Sequence, residues 1–185
     1  RSLNTTTRST GDFIVSQTPI TIQHQVRIPV RLETAFKVFT KLDPKDFLHS
    51  DKLIAPIKRI TMLKGEAFDH QGAMQSIEFA DGAVITEELL AWVDNRQILY
   101  RGTGFSQPLV NWTEYAQASF EFERLGEQTQ FTWRYNFFLK PNPLNAVRKL
   151  VFETVVVKGI WSYMMTRTLK NVVKVVTLRA QAVQQ

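Results

Sequence analysis

The feature that most restricts the fold of this chain is a long amphipathic segment near its C-terminal end. Residues 145–180 have helical spacing, and a helix of ~35 residues extends about 52 Å at 1.5 Å per residue. Globular helices average about 11–12 residues, so this one needs a large partner to cover its apolar side. Residues 72–138 alternate in the manner of strands. We therefore expect an antiparallel sheet curved around one helix, with a cavity between them.

The residues before this sheet begin with a strand and continue into helices. Residues 19–30 alternate apolar and polar side chains, as a half-buried strand does. Residues 31–42 place apolar side chains at helical spacing, and the Asp43-Pro44 pair stops this first helix. A second short helix is predicted at residues 45–49.

Short turns divide the following residues into antiparallel strands. Asp81-Gly82 and a turn containing Gly126 are hairpin signals, and Asn145 is the predicted N-cap of the long helix. Strands are predicted at residues 53–63 (where the period is poor), 73–79, 83–93, 97–103, 112–124 and 129–139. This order defines an α+β fold. Residues 18–182 are predicted to form a single domain, and residues 1–17, rich in Ser and Thr, a flexible tail.

Composition excludes several classes of site. The chain has no cysteine, and its three histidines are not spaced as metal ligands. We expect no metal, no cofactor and no nucleic-acid partner. The most apolar stretch, residues 150–165, contains Glu153 and Lys158 and is too short to span a bilayer. The chain begins at Arg1 rather than Met, which is consistent with removal of an N-terminal segment. The compartment and the oligomeric state stay open, with the cytoplasm favoured.

The positive charge of the chain is concentrated at its C-terminal end. Residues 143–185 carry seven basic side chains and one acidic side chain, whereas residues 1–142 are neutral overall. This pattern is typical of a solvated helix face that complements the helix dipole. It also fits transient contact between the basic helix and an anionic membrane surface.

The order of elements resembles the START-like superfamily, also called SRPBCC or helix-grip, and within it the polyketide cyclase/dehydratase-like group. The likeness covers roughly residues 19–180 and lies in VRIPVRLETAFKVFTKL, GAMQSIEFADGAVITEELLAW, NRQILYR, FEFERLGEQTQFTWRY and the closing helix. The resemblance implies a helix-grip fold. It leaves function open, because this superfamily includes lipid carriers, hormone receptors, cyclases, dehydratases and protein-interaction modules.

Strand parity predicts which side chains face the cavity. Aromatic residues share one face in each of three strands, and tyrosine hydroxyls among them could position a polar ligand group. The alternative is that the same rings fill the core. The predicted ligand-binding aromatic residues are Tyr100, Trp112, Phe120, Phe122, Phe131, Trp133 and Tyr135. On the long helix, Val155, Gly159 and Tyr163 lie on the stripe predicted to face the ligand.

Glu87 is the sharpest candidate for chemistry. It is the one charged residue of the parity that contains Ile85 and Leu89, and a buried carboxyl there would have a raised pKa. Glu88 is equally isolated on the opposite parity, and we favour Glu87 as the inward residue. The alternative is an ion pair with Arg101 or Arg134. Glu87, Tyr100 and Tyr135 are the catalytic candidates.

Two loop residues form a further, less favoured pair. Asp69 and His70 could together make a general base, because imidazole titrates near neutral pH and a carboxylate orients it. Adjacent loop residues rarely point the same way, which argues against this pair.

Three functions of different classes fit the sequence. The favoured one is binding of a hydrophobic small molecule, such as a lipid, isoprenoid or polyketide, in the cavity. The runner-up is a cofactor-free cyclase, aromatase or dehydratase in which Glu87 or a tyrosine moves protons. The third is a protein-interaction module, which a completely filled core would support.

Overall fold

Seven antiparallel strands form one sheet in the computed structural model, which describes residues 18–108 and 110–182. The strands are β1 (Ile20–Ile28), β2 (Ile57–Lys64), β3 (Met74–Phe79), β4 (Val84–Val93), β5 (Gln97–Thr103), β6 (Thr113–Leu125) and β7 (Gln128–Leu139). Their order is β1-β7-β6-β5-β4-β3-β2. Consecutive strands are therefore neighbours from β2 to β7, and β1 pairs with β7.

The helices also follow the predicted order. Helices α1 (Leu32–Phe39) and α2 (Pro44–Phe47) lie between β1 and β2. A continuous C-terminal helix of 38 residues follows β7, made of α3 (Asn145–Val151), a π-helical segment (Phe152–Trp161) and α4 (Ser162–Ala182). The predicted α+β architecture, a sheet around a long C-terminal helix with two short helices after the first strand, is confirmed. The predicted tail lies outside the described residues.

Local sequence explains the start of one helix but not that of another. Asp43 caps α2, because its Oδ1 accepts a hydrogen bond from the Lys45 backbone N–H at 2.9 Å. The predicted cap of the long helix at Asn145 is wrong. Leu144 occupies the cap position without a side-chain hydrogen bond, and its N–H instead donates to Asn142 Oδ1 at 2.9 Å.

Register shifts explain two strands in which the regular alternation of inward and outward side chains is interrupted. Strand β2 shifts register against β3 twice, which explains its poor period in the sequence. Strand β4 shifts register against β5 between Leu89 and Ala91. Because of this shift, Trp92 rather than Val93 continues the inward side of β4 after Glu87 and Leu89.

The predicted inward stripe of the long helix is wrong. Val155 and Gly159 are exposed, and Tyr163 lies part-exposed on the outside of the fold. The prediction assumed 3.6 residues per turn throughout, but Phe152–Trp161 has i→i+5 hydrogen bonds, which put more residues in each turn. The buried side chains are instead Phe152, Val156, Val157, Met164, Met165, Thr168, Leu169, Val172, Val176 and Ala180.

The helices cover only part of the inner face of the sheet. Helix α4 packs on β1 and α1. Phe39 of α1 contacts Phe122 and Phe131, with ring centroids 5.5 and 5.1 Å apart. The inward side chains of β3, β4 and β5 are left to border an open space.

Replacement of Phe131 by Ala tests this division of the inner face. Phe131 is fully buried under α1, so Phe131→Ala should lower the free energy of unfolding by about 3–5 kcal/mol. Chemical denaturation monitored by circular dichroism measures the change.

Phe138→Ala is the matched control, because Phe138 lies on the same strand but stacks on Tyr115 and stays half-buried. It should cost less than half as much. Equal losses for the two variants would contradict this assignment of the core.

Candidate functional site

A cavity of about 580 Å³ lies between the uncovered part of the sheet, the short helices and the π-helical segment. Strands β3 to β7 supply its floor, and Ile160, Trp161 and Met164 border it from the long helix. The lining is mainly apolar. The floor residues include Gln75, Ile77, Ile85, Glu87, Trp92, Ile98, Tyr100, Phe120, Trp133 and Tyr135.

Two polar side chains, Gln75 buried and Glu87 part-buried, meet on the floor. Gln75 of β3 and Glu87 of β4 are directly paired across the strands, and Gln75 Nε2 donates a hydrogen bond to Glu87 Oε2 at 2.8 Å. Glu87 is surrounded by protein, and its remaining accessibility is to the cavity. The predicted inward orientation of Glu87 is therefore confirmed.

The alternative ion pairs for Glu87 are wrong. Arg101 pairs with Glu88 on the outer face at 2.5 Å. Arg134 lies 3.6 Å from Glu121, also on the outer face. Both arginines point away from the cavity, so Glu87 has Gln75 as its hydrogen-bond partner within the described structure.

Two tyrosine hydroxyls lie next to each other in the same cavity. Tyr100 and Tyr135 come from β5 and β7, and each pairs with Ala118 of the strand between them. Their hydroxyl oxygens are 3.2 Å apart. Trp133 Nε1 donates to the Tyr100 hydroxyl at 3.3 Å. The small Ala118 side chain leaves room for the two rings to meet.

Burial shifts the pKa values of these groups upward. Desolvation raises the pKa of Glu87 to about 7, although the hydrogen bond from Gln75 opposes this shift. Desolvation, with the charge of Glu87 as a further contribution, also raises the pKa values of Tyr100 and Tyr135 above the usual range. The tyrosines therefore stay protonated at neutral pH, whereas Glu87 can give or take a proton there.

The predicted ligand-contact residues fall into two groups. Five of them line the cavity: Glu87, Tyr100, Phe120, Trp133 and Tyr135. Six do not: Trp112, Phe122, Phe131, Val155, Gly159 and Tyr163. The first group marks the uncovered part of the inner face.

The second group lies elsewhere for separate reasons. Phe122 and Phe131 face inward as predicted but are covered by α1. Trp112 lies in a short turn before β6, where the Arg148 guanidinium stacks 4.7 Å from its ring centroid. Gly159 has open surroundings, since an added Cβ would meet its nearest atom at an ordinary 3.5 Å. Nothing in the structure explains a glycine there.

Several cavity residues were missed by the sequence reasoning. Gln75 is the lone polar residue between Ala73 and Ile77 on its strand parity, so the argument used for Glu87 would have found it. Trp161 lies on the helix side of the cavity, and its ring packs edge-on against Tyr135 with centroids 5.2 Å apart. Its Nε1 is buried without a hydrogen-bond partner in the described structure.

A loop from Leu48 to Pro56 forms part of the cavity wall and is fastened to α4. The Tyr163 hydroxyl donates to Asp51 Oδ2 at 2.6 Å, and the His49 N–H donates to Thr168 Oγ1 at 2.9 Å. The hydrogen bond from Tyr163 is the main reason that the pKa of Asp51 lies well below its usual range. Tyr163 thus holds the wall in place from outside.

The Asp69–His70 pair does form, contrary to the argument against it. His70 Nδ1 lies 2.8 Å from Asp69 Oδ1, and both side chains are more than half exposed. Such a pair lacks the enclosed setting of Glu87 and Gln75. Among residues 18–108 and 110–182, no group of three or more carboxylate or histidine side chains is arranged to hold a metal ion.

The chain belongs to the polyketide cyclase/dehydrase and lipid transport family, whose profile matches residues 19–177. Members of this family bind hydrophobic small molecules or carry out cyclase-type chemistry. The predicted START-like relationship is thereby confirmed. A search of curated protein sequences finds no significant match.

Solved structures with the same fold include two enzymes and Ara h 8.0201. Norcoclaurine synthase from Thalictrum flavum, in complex with dopamine and hydroxybenzaldehyde, aligns with a TM-score of 0.61 and 14% identity over 95% of this chain and 96% of that one. The Zhui aromatase/cyclase from Streptomyces gives 0.57 and 13% over 89% and 95%. Ara h 8.0201 gives 0.53 and 16% over 88% and 97%. These similarities establish the fold.

The buried carboxyl should make stability depend on pH in a predictable direction. The pKa of Glu87 rises from 4.5 to about 7 on folding, so the unfolded chain loses this proton first as pH increases. Folding stability therefore falls between these values and stays lower above pH 7. Glu87→Gln should remove this loss, and its gain in free energy of unfolding should be on the order of 2 kcal/mol larger at pH 8 than at pH 5.

Denaturant titrations at both pH values measure this difference. Glu88→Gln is the matched control, because Glu88 is adjacent but ion-paired on the outer face. It should show no comparable gain at high pH. A Glu87→Gln gain that does not change with pH would contradict the buried position.

Proposed function

We propose that the protein binds a hydrophobic small molecule, such as a lipid, isoprenoid or polyketide-like compound, in the cavity between sheet and helix. The observation that carries the proposal is a cavity of about 580 Å³ with a mainly apolar lining and one buried polar cluster. Small-molecule sites in proteins have this size and composition. The open cavity also disfavours the interaction-module hypothesis, which needed a filled core.

The polar side chains of the cavity indicate which hydrogen-bonding groups the ligand has. Protonated Glu87 and the Tyr100 and Tyr135 hydroxyls can donate or accept hydrogen bonds at the floor. A mostly apolar molecule with a carbonyl or hydroxyl group at one end would satisfy these groups, whereas a pure hydrocarbon would leave them unpaired.

One observation favours the cyclase or dehydratase alternative. A carboxyl with a pKa of about 7 beside two tyrosines is suited to general acid–base catalysis at neutral pH. The dopamine complex of norcoclaurine synthase and the name of the Zhui aromatase/cyclase show that this fold hosts enzymes. Conversion of a linear polyketone that is lost in Glu87→Gln and kept in Glu88→Gln would support this alternative over simple carriage.

Binding is tested with N-phenylnaphthylamine, an uncharged apolar fluorophore that is small enough for the cavity. Its emission should rise on binding and should be excited by energy transfer from Trp92, Trp133 and Trp161, which line the cavity. Ile85→Trp places a large ring in the same space and should weaken binding about tenfold or more.

Thr86→Trp is the matched control, because Thr86 is the next residue of β4, lies outside the cavity lining and is half-buried. It should change the dissociation constant less than about twofold. Thermal unfolding of both variants checks that they remain folded. Equal binding by Ile85→Trp and the parent protein would place the fluorophore outside the cavity and overturn the proposal.

A further inference from the structure

An exposed apolar row runs along the first part of the C-terminal helix. Helix α3 has no buried residue, and Leu144, Val147 and Leu150 are each between 62% and 67% exposed. Single exposed apolar residues are common on soluble proteins, but here three occur within seven consecutive residues. Arg148 stacks on Trp112 and so fixes the side of α3 that faces the protein.

The π-helical segment extends this row toward the cavity. Val155 and Ile160 follow Leu150 at successive intervals of five residues, which matches the i→i+5 bonding of this segment. Both are more than 40% exposed, and Ile160 also lines the cavity. We call Leu144, Val147, Leu150, Val155 and Ile160 the apolar row. It ends at the cavity lining, to which the exposed Leu53 of the wall loop also belongs.

A basic surface continues from the row along α4. Arg167, Lys170 and Lys174 are exposed, and within residues 18–108 and 110–182 none of them has a carboxylate within 4.0 Å. Two other cations of the helix differ, since Lys158 pairs with Glu153 at 2.8 Å and Arg179 with Asp46 at 2.6 Å. The helix therefore presents an apolar part followed by an uncompensated positive part.

We propose that the apolar row and the basic surface of α4 form a docking site for an anionic phospholipid bilayer. Apolar side chains enter the headgroup boundary, and lysine or arginine side chains near an anionic surface add electrostatic attraction. Asp69 and Asp81 border the cavity from the β2–β3 and β3–β4 connections, so charge complementarity favours the helix surface as the side that meets the bilayer. Among the described residues no helix is both long and apolar enough to cross a membrane, and surface docking requires none.

This geometry gives the docked protein a route for its ligand. Ile160 belongs both to the apolar row and to the cavity lining, so an apolar molecule could pass from the bilayer into the cavity along the helix. The docking surface itself does not depend on the proposed ligand, but this route rests on the proposed function.

Co-sedimentation with lipid vesicles tests the docking site. The full chain should bind vesicles of about 3:1 phosphatidylcholine to phosphatidylserine, and binding should weaken with added salt and with phosphatidylcholine alone. Leu150→Glu should lower the partition coefficient about tenfold, and so should the double variant Lys170→Glu with Lys174→Glu. Leu150 and both lysines are exposed, so these variants should fold normally.

Leu125→Glu is the matched control, because Leu125 is 41% exposed at the end of β6 and belongs neither to the apolar row nor to the basic surface. It should change vesicle binding less than about twofold. Leu150 lies outside the cavity lining, so Leu150→Glu should keep N-phenylnaphthylamine binding. This separates a failure of docking from a failure of the ligand site.

Three outcomes would overturn the docking proposal. The first is no binding of the parent chain to the anionic vesicles. The second is unchanged binding by Leu150→Glu. The third is a dimer, seen by light scattering, that Leu150→Glu dissociates while the parent chain binds no vesicles, because the row would then be a contact between two copies of this chain.

Discussion

The structure depends on a mismatch between the sheet and the helices that cover it. Seven strands present a wide apolar inner face, whereas α1 and α4 cover mainly the β1, β6 and β7 side. Phe122 and Phe131 lie under that cover and form core. Close packing leaves few voids in protein interiors, so a cavity of about 580 Å³ over the uncovered part of the sheet is a specific feature of this fold rather than a packing defect.

A carboxyl placed in such a space has unusual chemistry. Glu87 has Gln75 as its described partner and lies among apolar walls and two tyrosines, so its neutral form is favoured up to about pH 7. A buried polar cluster lowers stability unless it is satisfied. A ligand that forms the missing hydrogen bonds with these polar groups would therefore bind more tightly and in one orientation. The groups that lower the stability of the free protein would then contribute to binding.

Local patterns predict much of this fold, and long-range packing explains what they miss. Alternation along β4 isolated Glu87 and Glu88 equally on its two faces, and Glu87, the favoured one, is the residue that faces inward. The same pattern applies to Gln75 on β3. Phe122 and Phe131 alternate in the same way as Phe120 and Trp133. Alternation shows which face of the sheet a side chain is on, but it does not show which part of that face a helix covers. Turns with i→i+5 hydrogen bonds, such as those after Val151, are rare, and the prediction for Val155 and Gly159 used the α-helical period instead.

The most direct test of the account is the side-chain carboxyl pKa of Glu87, measured by carbon-13 NMR titration of glutamate-labelled protein and assigned with Glu87→Gln. The account predicts a pKa of about 7, with a further shift when N-phenylnaphthylamine occupies the cavity. A value near 4.5, the ordinary one for glutamate, with no response to the fluorophore would contradict it. Glu87 would then be solvated, and the cavity would not be the apolar site on which the proposed function rests.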